Sequence, residues 1–547
     1  MERPSASAPR SPELAPNASL PVSSGRAGTF IQAFLCGSRP LSSRTFWGIF
    51  IAIGLLALAL RLITLGSRSL QMDEAYSVWF AARPWYELWH VVPLYEIHPP
   101  MYYSLLKIWI GWFGDSEFSV RVPSVIISVA TVLVVAVSGR LLRAGAVIER
   151  AGLIAGLLIA TNKGSILYGE LARPYAFEAF AATVAILCSV IVLRQLTDSR
   201  APDEGNAAPQ RGRLLPALVG LSLAACGTLW SHNTAVLVAF AVGLGLLVAT
   251  LGWARGNRLM AALIIAAPFV VALALWSPYV HFLIAATKYV QSSFWVKLEW
   301  IDFLKAWSLA AGARLTLLPV LLLCAGAWLI LWRQCRAVAV HVAIVLVLPF
   351  VFIVAYSVLV RPIFMDRLFE WMAAPIMFLT ALGIVWALPR NRIRLGVLVL
   401  LLLLSGVQAV QLYRGVQEDF RASVAEVANH RRSGDLLIVS PNEVDVAVQY
   451  YAKSYHDFPD VLVMPSPFPA IGLKRPYMSN VAAPGIIPAD REIVRAALAT
   501  HGRVWLIQRN PGGFDPDSVV RNEILSLRKP VQVHNEHSPE LQPELFQ

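Results

Sequence analysis

Residues 98–114 read HPPMYYSLLKIWIGWFG, and whether this stretch crosses a membrane decides on which side every later loop falls. It is apolar but short of the ~20 residues a helix needs to span a hydrocarbon core. It carries Lys107 in its middle and opens on two prolines that suit a helix start.

The surrounding chain is built for a bilayer. Of 547 residues, 57% are apolar and 15% charged, and the mean hydropathy is +0.59, which excludes an ordinary soluble globule. Runs long enough to span begin near Phe46, Phe118, Ala151, Tyr175, Leu214, Asn233, Leu259, Leu315, Ala339, Leu368 and Leu395, eleven in all. If residues 98–114 lie flat, Arg140, Arg143 and Arg150, Arg194, Arg200, Arg211 and Arg213, Arg255 and Arg258, Arg333 and Arg336, and Arg390, Arg392 and Arg394 all fall in inner loops. If the stretch crossed, all of these would move outside, against the positive-inside rule. The expectation is therefore an amphipathic helix on the outer surface, with Trp109, Trp112 and Phe113 as interfacial anchors.

Eleven spans with a cytoplasmic N-terminus leave the C-terminus outside. Residues 1–45, rich in Pro, Ser, Ala and Arg, read as a disordered cytoplasmic tail, and residues 46–412 as the membrane domain, with its first outer loop at 67–117. Residues 413–547 have the composition of a soluble domain: helix over Phe420 to Arg432, turn at Gly434-Asp435, strand over Leu436 to Ser440, then helix over Asp490 to Thr500 and strand over Arg503 to Gln508. Alternating helix and strand predicts a small α/β extracytoplasmic domain, periplasmic in an inner-membrane protein. Cys36 and Cys335 fall on the inner side, and Cys188, Cys226 and Cys324 within spans, so no pair suggests a disulfide. The net charge of +12 comes largely from the tail and inner loops. It reports topology and contact with anionic lipid, and no nucleic-acid motif accompanies it.

Unusual polar residues gather near the outer span ends. Asp73 and Glu74 follow span one in SLQMDEAYSVWF; His98 precedes the flat helix with Tyr102 and Tyr103; Glu170, Arg173 and Tyr175 flank the turn between spans three and four; His232 lies between spans five and six; Arg361 and Arg367 lie between spans nine and ten. Ionisable groups at such depths mark a site unless they pair with one another. Carboxylates that accept a proton from a hydroxyl, beside arginines that fork onto phosphate, suit transfer of a group from a lipid phosphate. A divalent metal on Asp73, Glu74, His98 and His232 is compatible with these residue types but not required by their spacing.

Each residue also has a structural reading. Asp73 could cap a helix; Glu74 could hold an acceptor, a metal or an Arg; His98 and His232 could serve a turn; Arg173, Arg367 and Arg361 could snorkel. Arg121 reads as the partner of Glu117 one turn away, the tyrosines fit an aromatic belt, and Gly152 and Gly156 form a small-xxx-small packing face.

In order and placement the motifs resemble the GT-C glycosyltransferases of the protein mannosyltransferase and aminoarabinose transferase type (families 39 and 83), including the bacterial lipopolysaccharide galacturonosyltransferases. The likeness rests on Asp73-Glu74-Ala75-Tyr76, on His98-Pro99-Pro100 with its aromatic helix, on Ser116 to Ser124 with Arg121, and on Arg173-Pro174-Tyr175. It covers roughly residues 46–412 and extends to Glu418-Asp419-Phe420-Arg421. Two departures stand out: Glu170-Leu171-Ala172 displaces the family's acid by one position, and Arg367-Leu368-Phe369 replaces an Arg-Tyr-Leu.

The resemblance implies a polytopic all-α GT-C fold and transfer of a sugar from a polyprenyl-phosphate donor to a glycan, lipid or protein hydroxyl in the cell envelope. Asp73 would be the base, with Glu74 beside it, and Arg173, Arg367 and Arg361 would hold the donor phosphate. His98, Tyr102, Tyr103, Glu170, Tyr175 and His232 would line the substrate pocket. The rival class is a lipid-linked-sugar flippase or transporter, which would show internal repeats and midplane charges.

Overall fold

The computed structural model describes residues 39–197, 212–254, 256–292, 296, 298–415, 418–473, 475, 482–532 and 541–547. Most of the expected N-terminal tail, Cys36, Arg200, Arg211 and Arg255 lie outside these residues.

The first span, α1 (Ser43–Leu62), leads to three short helices outside the bundle: α2 (Met72–Ala82), α3 (Trp85–His90) and α4 (Met101–Phe113). The bundle continues with α5 (Glu117–Leu142), α6 (Ala146–Ala160), α7 (Lys163–Glu170), α8 (Tyr175–Thr197), α9 (Leu214–Ser231) and α10 (Val236–Trp253). It is completed by α11 (Arg258–Trp276), α12 (Val280–Ser292), α13 (Trp300–Ala310), α14 (Arg314–Gln334), α15 (Arg336–Leu359), α16 (Ala373–Ala387) and α17 (Asn391–Arg414). Ten of the described helical segments are long and apolar enough to cross a membrane, and the bent pair α6–α7, taken as one broken span, brings the number to eleven.

That bend, 61°, has a local cause. The Asn162 side chain caps α7 by accepting from the Ser165 amide at 3.0 Å, which starts a new helix rather than extending the old one. Arg61, fully buried, donates to the Ala160 carbonyl at 3.3 Å and to Ser128 Oγ and Ser165 Oγ at 2.7 and 3.0 Å. One guanidinium thus satisfies a carbonyl left open at the break.

Within residues 98–114 the chain forms α4, 13 residues long and too short to cross a hydrocarbon core. α4 is capped by the two prolines and closed by Gly114 at φ 77°, and it packs along α2 and the start of α5. Trp112 and Phe113 face outward, 74% and 58% exposed, while Tyr102 and Tyr103 turn inward. The loops at 63–116, 171–174, 232, 360–365 and 415 onward then share one membrane face. Gly139 and Gly152 let α5 and α6 meet backbone to backbone: a Cβ on Gly139 would stand 2.0 Å from the Ile148 carbonyl oxygen.

Beyond α17, α18 (Phe420–His430), β1 (Leu436–Ser440), α19 (Glu443–Ala452), β2 (Asp460–Val463), α20 (Arg491–Thr500), β3 (Val504–Gln508), α21 (Pro511–Phe514), α22 (Val519–Leu527), β4 (Pro530–Val531) and β5 (Glu544–Phe546) form the expected α/β unit. Its five-stranded sheet has the order β2-β1-β3-β5-β4, parallel from β2 to β3 and antiparallel at β5 and β4. It is seated on the outer loop. Phe468 packs its ring 5.0 Å from both Tyr76 and Trp79 on α2, and Tyr451 Oη accepts from the Leu70 amide at 2.7 Å.

Candidate active site

The turn Leu65–Leu70 and a capping box at Gln71 start α2, whose first turn holds both acids. Their surroundings differ. Glu74 is fully buried: Arg121 Nε and Nη2 donate to its two oxygens at 2.8 and 2.6 Å, and the Ala172 and Gln71 amides add bonds at 2.9 and 3.0 Å. Every face of that carboxylate is occupied. Arg121 spends its remaining hydrogens on the Leu65, Arg68 and Ser69 carbonyls. The expected Arg121–Glu117 pair is therefore not formed, because the bidentate geometry and burial at Glu74 are better. Glu117 instead meets Arg421 at 2.9 Å and accepts from Tyr451 Oη at 2.5 Å.

Asp73, one residue earlier, points the other way. Its carboxylate keeps 38% of its surface open, and Arg367 Nη1 donates to Oδ2 at 3.0 Å. Arg173 Nη1 donates to the Asp73 backbone carbonyl at 3.2 Å and lies 3.4 Å from Tyr103 Oη. Both guanidinium carbons stand 6.0 Å from the centre of the Tyr175 ring. His98 closes the floor: its ring packs T-shaped against that of His232 at 4.6 Å between centroids, and Arg173 Nη2 lies 3.3 and 3.4 Å from its two nitrogens.

Four outer segments, widely separated in sequence, thus converge on one point. Asp73, His98, Tyr103, Arg173, Tyr175, His232 and Arg367 are brought together. The other expected site residues make different contacts. Glu170 faces away from this cluster, accepting from Thr64 Oγ1 at 3.2 Å in a small recess with Arg68 and Arg121. Tyr102 packs edge-on against Phe177. Arg361 stands on the 360–365 loop, whereas the bond to the Asp73 carboxylate is made by Arg367.

Two groups central to the geometry escaped the sequence reading. Glu96 accepts the His98 Nδ1 proton and a bond from Tyr103 Oη at 3.0 Å, leaving His98 Nε2 to accept from Arg173. Its position two residues before His98 was the available signal. On α19, Glu443 accepts from Tyr76 Oη at 3.3 Å and pairs with Arg509 at 2.5 Å, while Arg509 Nε donates to Glu418 at 2.6 Å. Nothing local in the sequence links Arg509 to Asp73.

The charges set the protonation states. Enclosure alone would raise the Asp73 carboxyl, but Arg173 and Arg367, with smaller help from His98 and Arg509, hold it at about 2, so it is ionised at any physiological pH. Burial, then Arg173 and Arg367, push His98 well below the usual imidazole value. Burial and the same cations, with His98, do so for His232, whose Nδ1 accepts from the Thr234 amide at 3.1 Å. Burial raises the Glu96 carboxyl against the pull of Arg173. Among the described residues, no three His, Cys, Asp or Glu side chains gather as a metal would need. Of the four proposed ligands, Glu74 is fully enclosed by Arg121 and the backbone amides, and Asp73 pairs with Arg367.

No family model matches the chain, and no curated protein matches it. Among solved structures, ArnT from Cupriavidus metallidurans in the apo state superposes with a TM-score of 0.56 at 14% identity, over 92% of this chain and 98% of that one. The same protein bound to undecaprenyl phosphate gives 0.55 at 15% identity, over 92% and 98%. An oligosaccharyltransferase of Archaeoglobus fulgidus, tethered with an acceptor peptide, gives 0.54 at 11% identity over 86% and 70%. The likeness is one of fold: this chain has the GT-C fold, with a multi-pass helical bundle and a small C-terminal sheet.

Proposed function

We propose that this chain is an integral membrane glycosyltransferase that moves a sugar from a polyprenyl-phosphate-linked donor to an acceptor hydroxyl on a cell-envelope glycan, lipid or protein. The observation that carries the reading is the open Asp73 carboxylate flanked by Arg173 and Arg367. The ArnT relative of like fold is known with undecaprenyl phosphate bound, which supports a lipid-phosphate donor. The arginine-rich loops opposite Asp73 support an inner-membrane protein with its N-terminus cytoplasmic and the domain from about residue 413 periplasmic.

In this mechanism Arg367 has two partners in turn. Before the donor binds it rests on Asp73. A phosphodiester entering beside Arg173 competes for the Arg367 guanidinium, since both are bidentate acceptors. Moving Arg367 onto the phosphate removes a positive charge from Asp73, raises its proton affinity and makes it a better base when the donor is in place. Asp73 takes the acceptor hydroxyl proton, the hydroxyl oxygen bonds to the anomeric carbon with inversion, and the carbon–oxygen bond to phosphate breaks. The electron pair leaves on the lipid phosphate, whose new charge Arg173 and Arg367 stabilise. Glu96 and His98 hold Arg173 in place, and Glu74 holds the Asp73 turn.

The test is transfer by purified protein in lipid, offered a panel of labelled polyprenyl-phosphate sugars and an envelope extract. Label reaching an acceptor from one donor is the expected result. Labelled lipid crossing the bilayer with no transfer from any donor would overturn it in favour of a flippase.

A further inference from the structure

The C-terminal sheet meets the active site by one particular edge. Strands β2, β1 and β3 run parallel, and the chain leaves β1 for β2 on one side and β3 for β4 and β5 on the other. The connections therefore part between the carboxyl ends of β1 and β3, the crevice in which open α/β sheets hold their ligands. Glu443 stands three residues beyond the end of β1, and Arg509 directly follows β3. The two pair across the crevice at 2.5 Å, and the Arg509 amide donates to the Ser440 carbonyl at 2.9 Å.

This crevice lies beside Asp73. Helix α19, which starts at Glu443, packs along α2, and Tyr76, one turn after Asp73, donates to Glu443 at 3.3 Å. Burial raises the Glu443 carboxyl against the pull of Arg509, and Asp73 adds to the rise. The Arg509 charge in turn reaches Asp73, though less than those of Arg173 and Arg367. Asp73 thus has two sets of neighbours: arginines of the bundle, given above to the donor phosphate, and a crevice of the C-terminal sheet that the donor leaves unused. The rim of the crevice is open. Arg509 and Glu418 are 28% and 24% exposed. Arg509 spends Nε on Glu418 and Nη1 on Glu443, and among the described residues its Nη2 makes no hydrogen bond. A strut that only fastened the two parts of the chain would be served by Tyr76, Glu443 and Arg509 in a closed contact, without an open guanidinium edge and a second acid at the rim.

We propose that this crevice is the acceptor subsite and that the acceptor is a glycan, held through adjacent hydroxyls by Glu418 and Arg509 while a neighbouring hydroxyl reaches the open oxygen of Asp73. The inference rests on the transferase reading above. Carboxylate and guanidinium are planar two-pronged groups that fit a pair of adjacent ring hydroxyls, whereas a serine or threonine side chain offers one. An anionic headgroup meets Glu418 and Glu443 as like charges and is disfavoured there.

Full-length protein in lipid, with labelled donor and an envelope extract treated in two ways, tests this. Protease digestion of the extract is expected to leave transfer intact, and periodate oxidation, which cleaves vicinal diols, to remove it. Glu418→Gln should raise the KM for the protease-treated glycan roughly tenfold, the scale of one hydrogen bond to a charged group, with the donor KM little changed. Without donor, the same glycan should raise the Tm of wild type and not that of Glu418→Gln. Transfer that survives periodate but is lost with protease overturns the proposal in favour of a protein hydroxyl. Equal rises in both KM values overturn it too, since Glu418 would then act only through the charge at Asp73, as does an equal Tm rise in wild type and variant. Absence of transfer from every donor would strike the transferase reading itself, and the Tm comparison would still decide whether the crevice holds glycan.

Discussion

Asp73 and Glu74 are neighbours in one helical turn, yet one keeps an open oxygen and the other has none. Substitution should separate them. Glu74→Gln leaves Arg121 buried without its counter-charge, a loss of ~3–5 kcal/mol, so unfolding temperature and yield should fall sharply; Asp73→Asn, at a partly open carboxylate, should lower both less. Arg367→Lys keeps the charge but loses the fork, and should lower kcat/KM roughly 100-fold, the scale for removing one donor to a developing anion. Protonation follows from the same contacts. With Asp73 at about 2 and both histidines held neutral, none of these three groups changes charge between about pH 5 and 8, and none should impose a limb on kcat/KM there. An acidic limb near the ordinary histidine value would contradict neutral His98 and His232. For stability the sign is the usual one for depressed groups: the Asp73 contribution is present above its unfolded value of 3.8 and is lost toward about 2. The histidine contribution begins to be lost as pH falls through the unfolded imidazole value, 6.5.

Helix α2 is where the two parts of the chain meet, held by α4 on one side and by α19 and Phe468 on the other. The Tyr76–Glu443–Arg509 chain ties it to the C-terminal sheet one turn from Asp73. Arg509→Gln should therefore lower kcat through Asp73 while leaving the spans folded, a split read by transfer kinetics beside thermal unfolding. Gly139→Leu should instead prevent α5 and α6 from closing, since a Cβ there already meets backbone, and should show as loss of folded protein. The elements themselves were legible in the sequence because hydrophobic length reports spans directly: the short helix within 98–114, the span-length apolar helices and the strand Leu436–Ser440 all appear where residue patterns put them. The site was partly legible. Polar residues near span ends stand out against an apolar background, which found Asp73, His98, Arg173, His232 and Arg367. What the background cannot reveal is direction. Glu170 and Arg121 lie at the same depth as the site but turn to other partners, and that choice depends on packing between segments far apart in sequence. Glu443 and Arg509 sit in a domain of ordinary polarity, where one more charged residue carries no signal.

At the scale of the whole molecule, the bundle gathers loops from several span-length helices, and the C-terminal sheet covers the loop that carries Asp73. All of this is organised around a single open carboxylate, so the most direct measurement is sugar transfer by Asp73→Asn, purified and folded, beside wild type with the same donor and acceptor. The prediction is loss of transfer by roughly 100-fold or more, with donor binding retained because Arg173 and Arg367 are intact. Transfer equal to wild type would remove Asp73 from the chemistry and contradict the mechanism.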